Sequence, residues 1–208
     1  MLIPGATSRK TPLQARSKER VEKIISSAEF LLKQDDLSQL TTSRIAARAG
    51  IPVGSIYQYF KDRDEILLAL GNKVLDDEDE KFTQAFQEIT PHVHWKEAIS
   101  GLLSAFHKIV REDDTHYRLD IALSDNPNWQ KANLLSEKRI VELLASYPLF
   151  DEKGLSEQHK KSIAQTLVIT VSAIIFRSKS RYWTEEVGHL VEESRKMVTA
   201  YLDTVFES

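Results

Sequence analysis

Cysteine is absent from this 208-residue chain. That excludes disulfides and thiolate metal sites, and it fits an intracellular, cytoplasmic setting. The short signatures of common active sites are missing as well: there is no Gly-rich phosphate loop, no G-x-S-x-G elbow and no H-E-x-x-H pair. Neither a repeat nor a low-complexity tract interrupts the chain. The opening stretch, Met1 to Lys10, lacks the apolar segment of a secretory signal. The longest apolar run, Leu167 to Phe176, is ten residues long and includes Thr170 and Ser172. It is too short for a membrane span and suits a buried helix.

What is present is an ordinary globular composition with an uneven charge. Hydrophobic residues make up 41%, and three Trp, six Tyr and eight Phe can furnish a core. The net charge of −3 conceals a basic head and an acidic body. Residues 1–61 hold ten Lys or Arg against five Asp or Glu, and residues 62–208 hold eighteen against twenty-six. A basic segment beside an acidic one is what a nucleic-acid reader with a separate regulatory body shows.

Residues 41–61 carry the most information. Thr41 and Thr42 stand where a hydroxyl caps a helix, a contribution of roughly 1 kcal/mol. Ile45, Ala46 and Ala49 recur at helical spacing, Gly50 can end that helix in the left-handed region, and Pro52 suits the first turn of a second helix. Ile56 and Phe60 share an inward stripe there. Val53, Gly54, Tyr57, Gln58 and Lys61 are left for other faces. Two short helices joined by a tight turn form a helix-turn-helix, the second helix being presented to a major groove. Taken singly, Tyr57 also reads as a packing tyrosine and Lys61 as a solvated lysine.

The stretch from Ile45 to Leu67 resembles the DNA-binding signature of TetR-type transcriptional regulators. Ile45-Ala46, Ala49-Gly50, Gly54-Ser55-Ile56-Tyr57 and Tyr59-Phe60-Lys61 carry the likeness, which covers about residues 14–70. Ile51-Pro52 departs from it, since many members place Ser or Thr just before the recognition helix. The resemblance implies an all-α fold of about nine helices, with a three-helix DNA-binding head and a helical ligand-binding and dimerisation body. The expected divisions are a disordered basic arm over 1–13, a helix-turn-helix domain over 14–61 and a body over 62–208. The resemblance also assigns roles. Thr42 and Lys61 hold phosphates, Tyr57 touches phosphate or a thymine methyl, and Gln58, Gly54 and Arg44 face base edges, with Val53 beside them. Arg48 lies near phosphate or a groove. The arm, with Arg9 and Lys10, reads as a frayed terminus more readily than as a minor-groove contact.

Periodicity predicts helices over about 16–33, from Asp62 past Gly71 towards Phe86, and over 95–111. Further helices follow from Asp113, over 129–146, over 156–179 and over 184–206, with a loop at 150–154. The acidic run Asp76 to Glu80 reads as a solvated face, and His92-x-His94 as a pair without a third metal ligand, so no metal or cofactor is expected. Trp95, Phe106, His107, Tyr117, Trp129 and Tyr147 are candidate ligand contacts, with His116 and Asn133 as polar partners. Few anchored acids or bases accompany them, which points to a hydrophobic or aromatic effector. The resulting expectation is a repressor, not an enzyme. It binds a palindromic DNA operator as a homodimer through helices 156–179 and 184–206, and a small molecule releases it. An activator, or less readily an all-α enzyme, is the alternative.

Overall fold

The computed structural model describes residues 10–34, 37–88, 93–178 and 187–207. Among these residues there are ten α-helices, one short 3-10 turn and no strand. The chain divides into two compact units, Met1–Gly71 and Asn72–Ser208.

The first unit is built from α1 (Lys10–Gln34), α2 (Thr42–Ala49), α3 (Val53–Ile56) and the start of α4 (Arg63–Gln87). Helix α1 begins at Lys10, inside the stretch expected to be a disordered arm; the arm's Arg9 lies outside the described residues. Pro12 does not prevent this, because first-turn amides have no intrahelical acceptor to lose. Ile24, Ala28 and Leu32 from α1 are buried, as are Leu40, Ile45, Ala46, Ile56 and Phe60. Ile66, Leu67 and Leu70 of α4 are fully buried too. The first unit extends to Gly71.

The second unit contains the rest of α4, then α5 (Trp95–Glu112), α6 (Thr115–Ala122) and α7 (Pro127–Ala145). Helices α8 (Pro148–Glu152), α9 (Glu157–Ser178) and α10 (Val187–Phe206) complete it. Helix α9 packs against α7 and α10, and α10 also packs against α5. Trp95, Val110, Phe150, Ile163, Val171, Leu202 and Phe206 form the buried cluster at their junction.

Two local features differ from the periodic reading. Helix α7 starts at Pro127 because the Asn126 side chain accepts the amides of Asn128 and Trp129 and Pro127 occupies the first turn. The Asp125-Asn-Pro-Asn128 turn signal is therefore a helix cap. Residues 150–154, expected as a loop, mostly belong to α8, so the described helices number ten where about nine were expected. Pro148 ends α7 and, by the same fixed φ, opens α8. Phe150 is buried, and Asp151 accepts a 2.6 Å hydrogen bond from the Lys160 ammonium.

Candidate functional site

In the first unit the helix pair is closed by its turn. Thr41 caps α2, its hydroxyl accepting the Arg44 amide. Gly50 ends α2 with φ 64 and ψ 37, its N–H reaching the carbonyls of Ala46 and Ala47. The Ile51 amide donates to the Ala46 carbonyl at 3.1 Å, completing the reversal. Pro52 then opens α3 without a side-chain cap, as its lack of a hydroxyl requires. Regular helix lasts only to Ile56, and winding continues as turns. The amides of Tyr59 and Phe60 both donate to the Ile56 carbonyl.

This short second helix has a sharp inside and outside. Ile56 is fully buried, while Val53 is 37% and Tyr57 57% exposed. Gly54 and Gln58 are exposed beside them. A Cβ built on Gly54 meets no atom within 4 Å, so nothing within the protein calls for glycine there. The Tyr57 hydroxyl lies 3.4 Å from the Thr42 hydroxyl, joining the start of α2 to the end of α3. Exposed Lys61 precedes α4, its amide donating to Glu65 at 2.6 Å, while the Glu65 amide donates to Asp62 at 2.9 Å. Arg44 is exposed, its guanidinium donating to the Gln39 carbonyl at 3.3 Å. Arg48 is stacked 3.1 Å over the Phe30 ring, a contact the sequence reading did not anticipate. Val53, Gly54, Tyr57, Gln58 and Lys61 are thus exposed along one short stretch of chain, with Thr42 joined to it through Tyr57 and with Arg44 and Arg48 exposed on α2.

In the second unit three adjoining cavities share walls. One of about 190 Å³ is lined by residues including Leu75, Glu78, Asp79, Phe82, Phe106, His116, Asp120, Asn133, Ser136 and Glu137. A second, about 60 Å³, shares Phe82, Phe106, Ile140, Val168 and Ser172 with it and adds Ile99, Leu103, Leu144 and Val171. A third of about 20 Å³ shares Ile99, Leu102, Leu144 and Leu167 with the second and adds Phe86, Tyr147 and Phe206. The series has a polar end and an apolar length.

Hydrogen bonds order the polar end. His116, only 8% exposed, has Nδ1 at 2.7 Å from Glu78 and Nε2 at 3.1 Å from the Asn133 side-chain oxygen. Asp120 Oδ1 accepts from the Asn133 amide at 3.1 Å and the Trp129 indole at 2.9 Å. That bond fixes which way the Asn133 amide points, so both imidazole nitrogens face acceptors. Burial pushes the His116 pKa down, but the hydrogen bond and charge of Glu78, helped by Asp120 and Asn133, outweigh it and leave the pKa raised. Beside this network Asp79 accepts from Ser136 at 2.6 Å and from Arg139 Nε at 2.7 Å.

The candidate ligand residues separate accordingly. Phe106 lines the first two cavities and Tyr147 the third, and His116 and Asn133 meet at the polar end. Trp95 is core, packed edge-on to Phe206 at 5.1 Å. Trp129, 1% exposed, lies edge-on to His116 and supports the network without lining a cavity described above. His107 and Tyr117 are half-buried and line none of the three. The acidic run was only partly a solvated face. Asp76, Asp77 and Glu80 are exposed, whereas Glu78 and Asp79 turn towards the cavity. Their three-and-four spacing to Leu75 and Phe82 on α4 was the available signal. The expectation of few anchored acids near the aromatics is corrected by Glu78, Asp79, Asp120 and Glu137. His94 caps α5, its Nδ1 accepting the Lys96 amide, and His92 lies outside the described residues. Among the described residues no cluster of His, Asp and Glu is arranged to hold a metal, and no helix is long and apolar enough to cross a membrane.

A solvent-facing helix-turn-helix thus stands in one unit and a cavity-bearing helical bundle in the other. Residues 24–70 match the family model described as bacterial regulatory proteins, tetR family. The chain is 26% identical over 125 residues to the fatty acid metabolism regulator protein of Bacillus subtilis, covering 60% of each sequence. It is 35% identical over 72 residues to the HTH-type transcriptional regulator HbdR of Aromatoleum sp., covering 35% of this chain and 31% of that one. The matched stretches thus span less than two thirds of these relatives. Among solved structures, a putative TetR-family regulator from Mesorhizobium loti superposes with a TM-score of 0.71 at 17% identity, covering 91% of this chain and 98% of that one. FadR of Bacillus subtilis, solved with stearoyl-CoA, superposes with 0.66 at 18% identity, covering 85% and 96%. Residues 24–70 thus carry the similarity to the tetR family of bacterial regulatory proteins, and the chain as a whole shares the fold of these solved structures.

Proposed function

We propose that this regulator is a ligand-released repressor that binds a near-palindromic operator as a homodimer. The observation that carries the ligand-responsive part is the series of adjoining cavities, with its apolar length and single hydrogen-bonding end. Such a space suits an elongated, mostly apolar effector with one polar head. An acyl chain on a polar thioester, as in the stearoyl-CoA complex of the B. subtilis neighbour, is one molecule of that shape.

On the DNA side, Tyr57, Thr42 and Lys61 are assigned to phosphates and position the head, while Gln58 and the backbone at Gly54 read base edges. Val53 lies beside them, and Arg44 and Arg48 approach the neighbouring backbone. One helix-turn-helix spans too few base pairs to select a genomic site. A two-fold pair with recognition helices about 34–36 Å apart, or a multiple of that, doubles the readout. Helices α9 and α10 are the proposed dimer faces. Ile169 on α9 and Met197 and Tyr201 on α10 are 51%, 44% and 37% exposed, an apolar surface that a second copy covers.

Coupling is assigned to α4. This helix begins in the first unit, where Ile66, Leu67 and Leu70 are buried, and its later turns supply Leu75, Glu78, Asp79 and Phe82 to the cavity wall. A ligand that prefers the arrangement in which the two heads no longer match one operator shifts the population by its difference in affinity.

Selection from a random duplex library at about 150 mM salt tests the DNA part. A recovered near-palindrome, bound by two chains per duplex in sedimentation, is the expected outcome. Enrichment without a shared sequence refutes operator recognition.

A further inference from the structure

The polar end of the main cavity is acidic as well as hydrogen-bonded. Four carboxylates line it, from Glu78, Asp79, Asp120 and Glu137, and no Lys or Arg among the described residues lines it. Two of the four are matched: Glu78 by His116 at 2.7 Å, and Asp79 by Arg139, which lies outside the lining at 2.7 Å. With both those partners counted as charged, two negative charges are left over. Asp120 has His116 Nε2 at 3.8 Å, but that ring already faces Glu78. Glu137 enters no ion pair among the described residues. Next to these groups the rings of Phe82 and Phe106 stand edge-to-face with centroids 6.0 Å apart, where the polar cavity passes into the apolar one.

An anionic head brought into this end meets a negative field in a region of reduced dielectric, where like charges repel more strongly than in water. A cationic head meets the opposite field, and aromatic rings also attract cations over their faces. Resting on the reading of this cavity as the effector site, we propose that the effector is an amphipathic cation. Its ammonium or amidinium head sits between Asp120 and Glu137, and its apolar portion runs past Phe82 and Phe106 towards Leu103 and Val171. The acidic wall thereby selects against fatty-acid carboxylates and against the phosphates of acyl-CoA thioesters.

The test compares ligands of equal tail and different head. Decyltrimethylammonium, decanol, decanoate and decanoyl-CoA, each below its micelle concentration, are titrated calorimetrically into the full chain and into its complex with the selected operator. The cation is expected to bind at least about tenfold tighter than decanoate. Asp120→Asn keeps the acceptor for Trp129 and Asn133, and Glu137→Gln lies at a partly exposed position, so both variants retain the fold. Each should weaken the cation about tenfold and leave decanol unchanged. Decanoate or decanoyl-CoA binding as tightly as the cation, or variants that bind the cation like wild type, overturn the inference. If those anions release the operator, the ligand-released repressor reading stands without the cation. If no amphiphile of any charge binds, both readings fall. If the cation binds in the expected order but leaves the operator bound, the cation preference of the cavity is upheld and its role in releasing the operator is refuted.

Discussion

At the scale of single residues, Gly54 lets the proposed DNA contact be tested apart from folding. A Cβ there meets nothing in the protein, and alanine favours helix over glycine by about 0.5–1 kcal/mol. Gly54→Ala should therefore keep or slightly raise the melting temperature while weakening operator binding through contact with a base edge. Unchanged affinity in a gel shift would remove Gly54 from the interface. Lys61→Ala should reduce the slope of log K against log salt by about one unit, as loss of one phosphate contact requires. His116 offers a pH-dependent test. Its pKa is raised above 6.5 by Glu78 and Asp120 despite burial, so its stabilisation is complete below that value and is lost as pH rises through the higher folded one. The melting-temperature gap between wild type and His116→Gln should accordingly shrink from about pH 6 to about pH 9. A gap that widens would mean that His116 is held neutral.

At the scale of elements, the turn between α2 and α3 depends on one backbone conformation. Gly50 has φ 64, and a side chain there costs roughly 1–2 kcal/mol in the left-handed region. Gly50→Ala should lower stability by about that amount, measured by denaturant unfolding, and reduce DNA affinity indirectly. This turn was legible because Gly50 and Pro52 each have few conformations to choose from and both point to the same reversal. Helix α8 was not legible. Five residues are too few to display a period, and Pro148, taken as an end, is equally a beginning. What makes α8 worth forming lies far along the chain, in the pocket that receives Phe150 and in the Lys160 ammonium that meets Asp151.

At the scale of the whole molecule, the proposed dimer gives a direct prediction. Ile169→Glu combined with Met197→Glu places charges on apolar positions of α9 and α10 that are already exposed in one chain. The single chain should keep its helicity, whereas sedimentation should show monomers and operator affinity should collapse. Dimers that persist would put the interface elsewhere. The largely apolar character of the 163–176 stretch fits this arrangement. Ile163, Ala164, Val171 and Ile175 are buried against the rest of the body, leaving Ile169 outward.

The sequence by itself determined the head. Its motif is contiguous, so capping, spacing and turn chemistry act between residues a few positions apart. The long helices followed for the same reason, since a 3.6-residue period is a local property. The character of the cavity was decided only by tertiary structure. Glu78, His116, Asp120, Asn133 and Glu137 come from three helices, α4, α6 and α7, and no spacing along the chain announces that they converge. Trp129 and Trp95 made the same point in reverse. A buried aromatic reads alike in sequence whether it lines a cavity or fills the core, and only the packing around it separates the two.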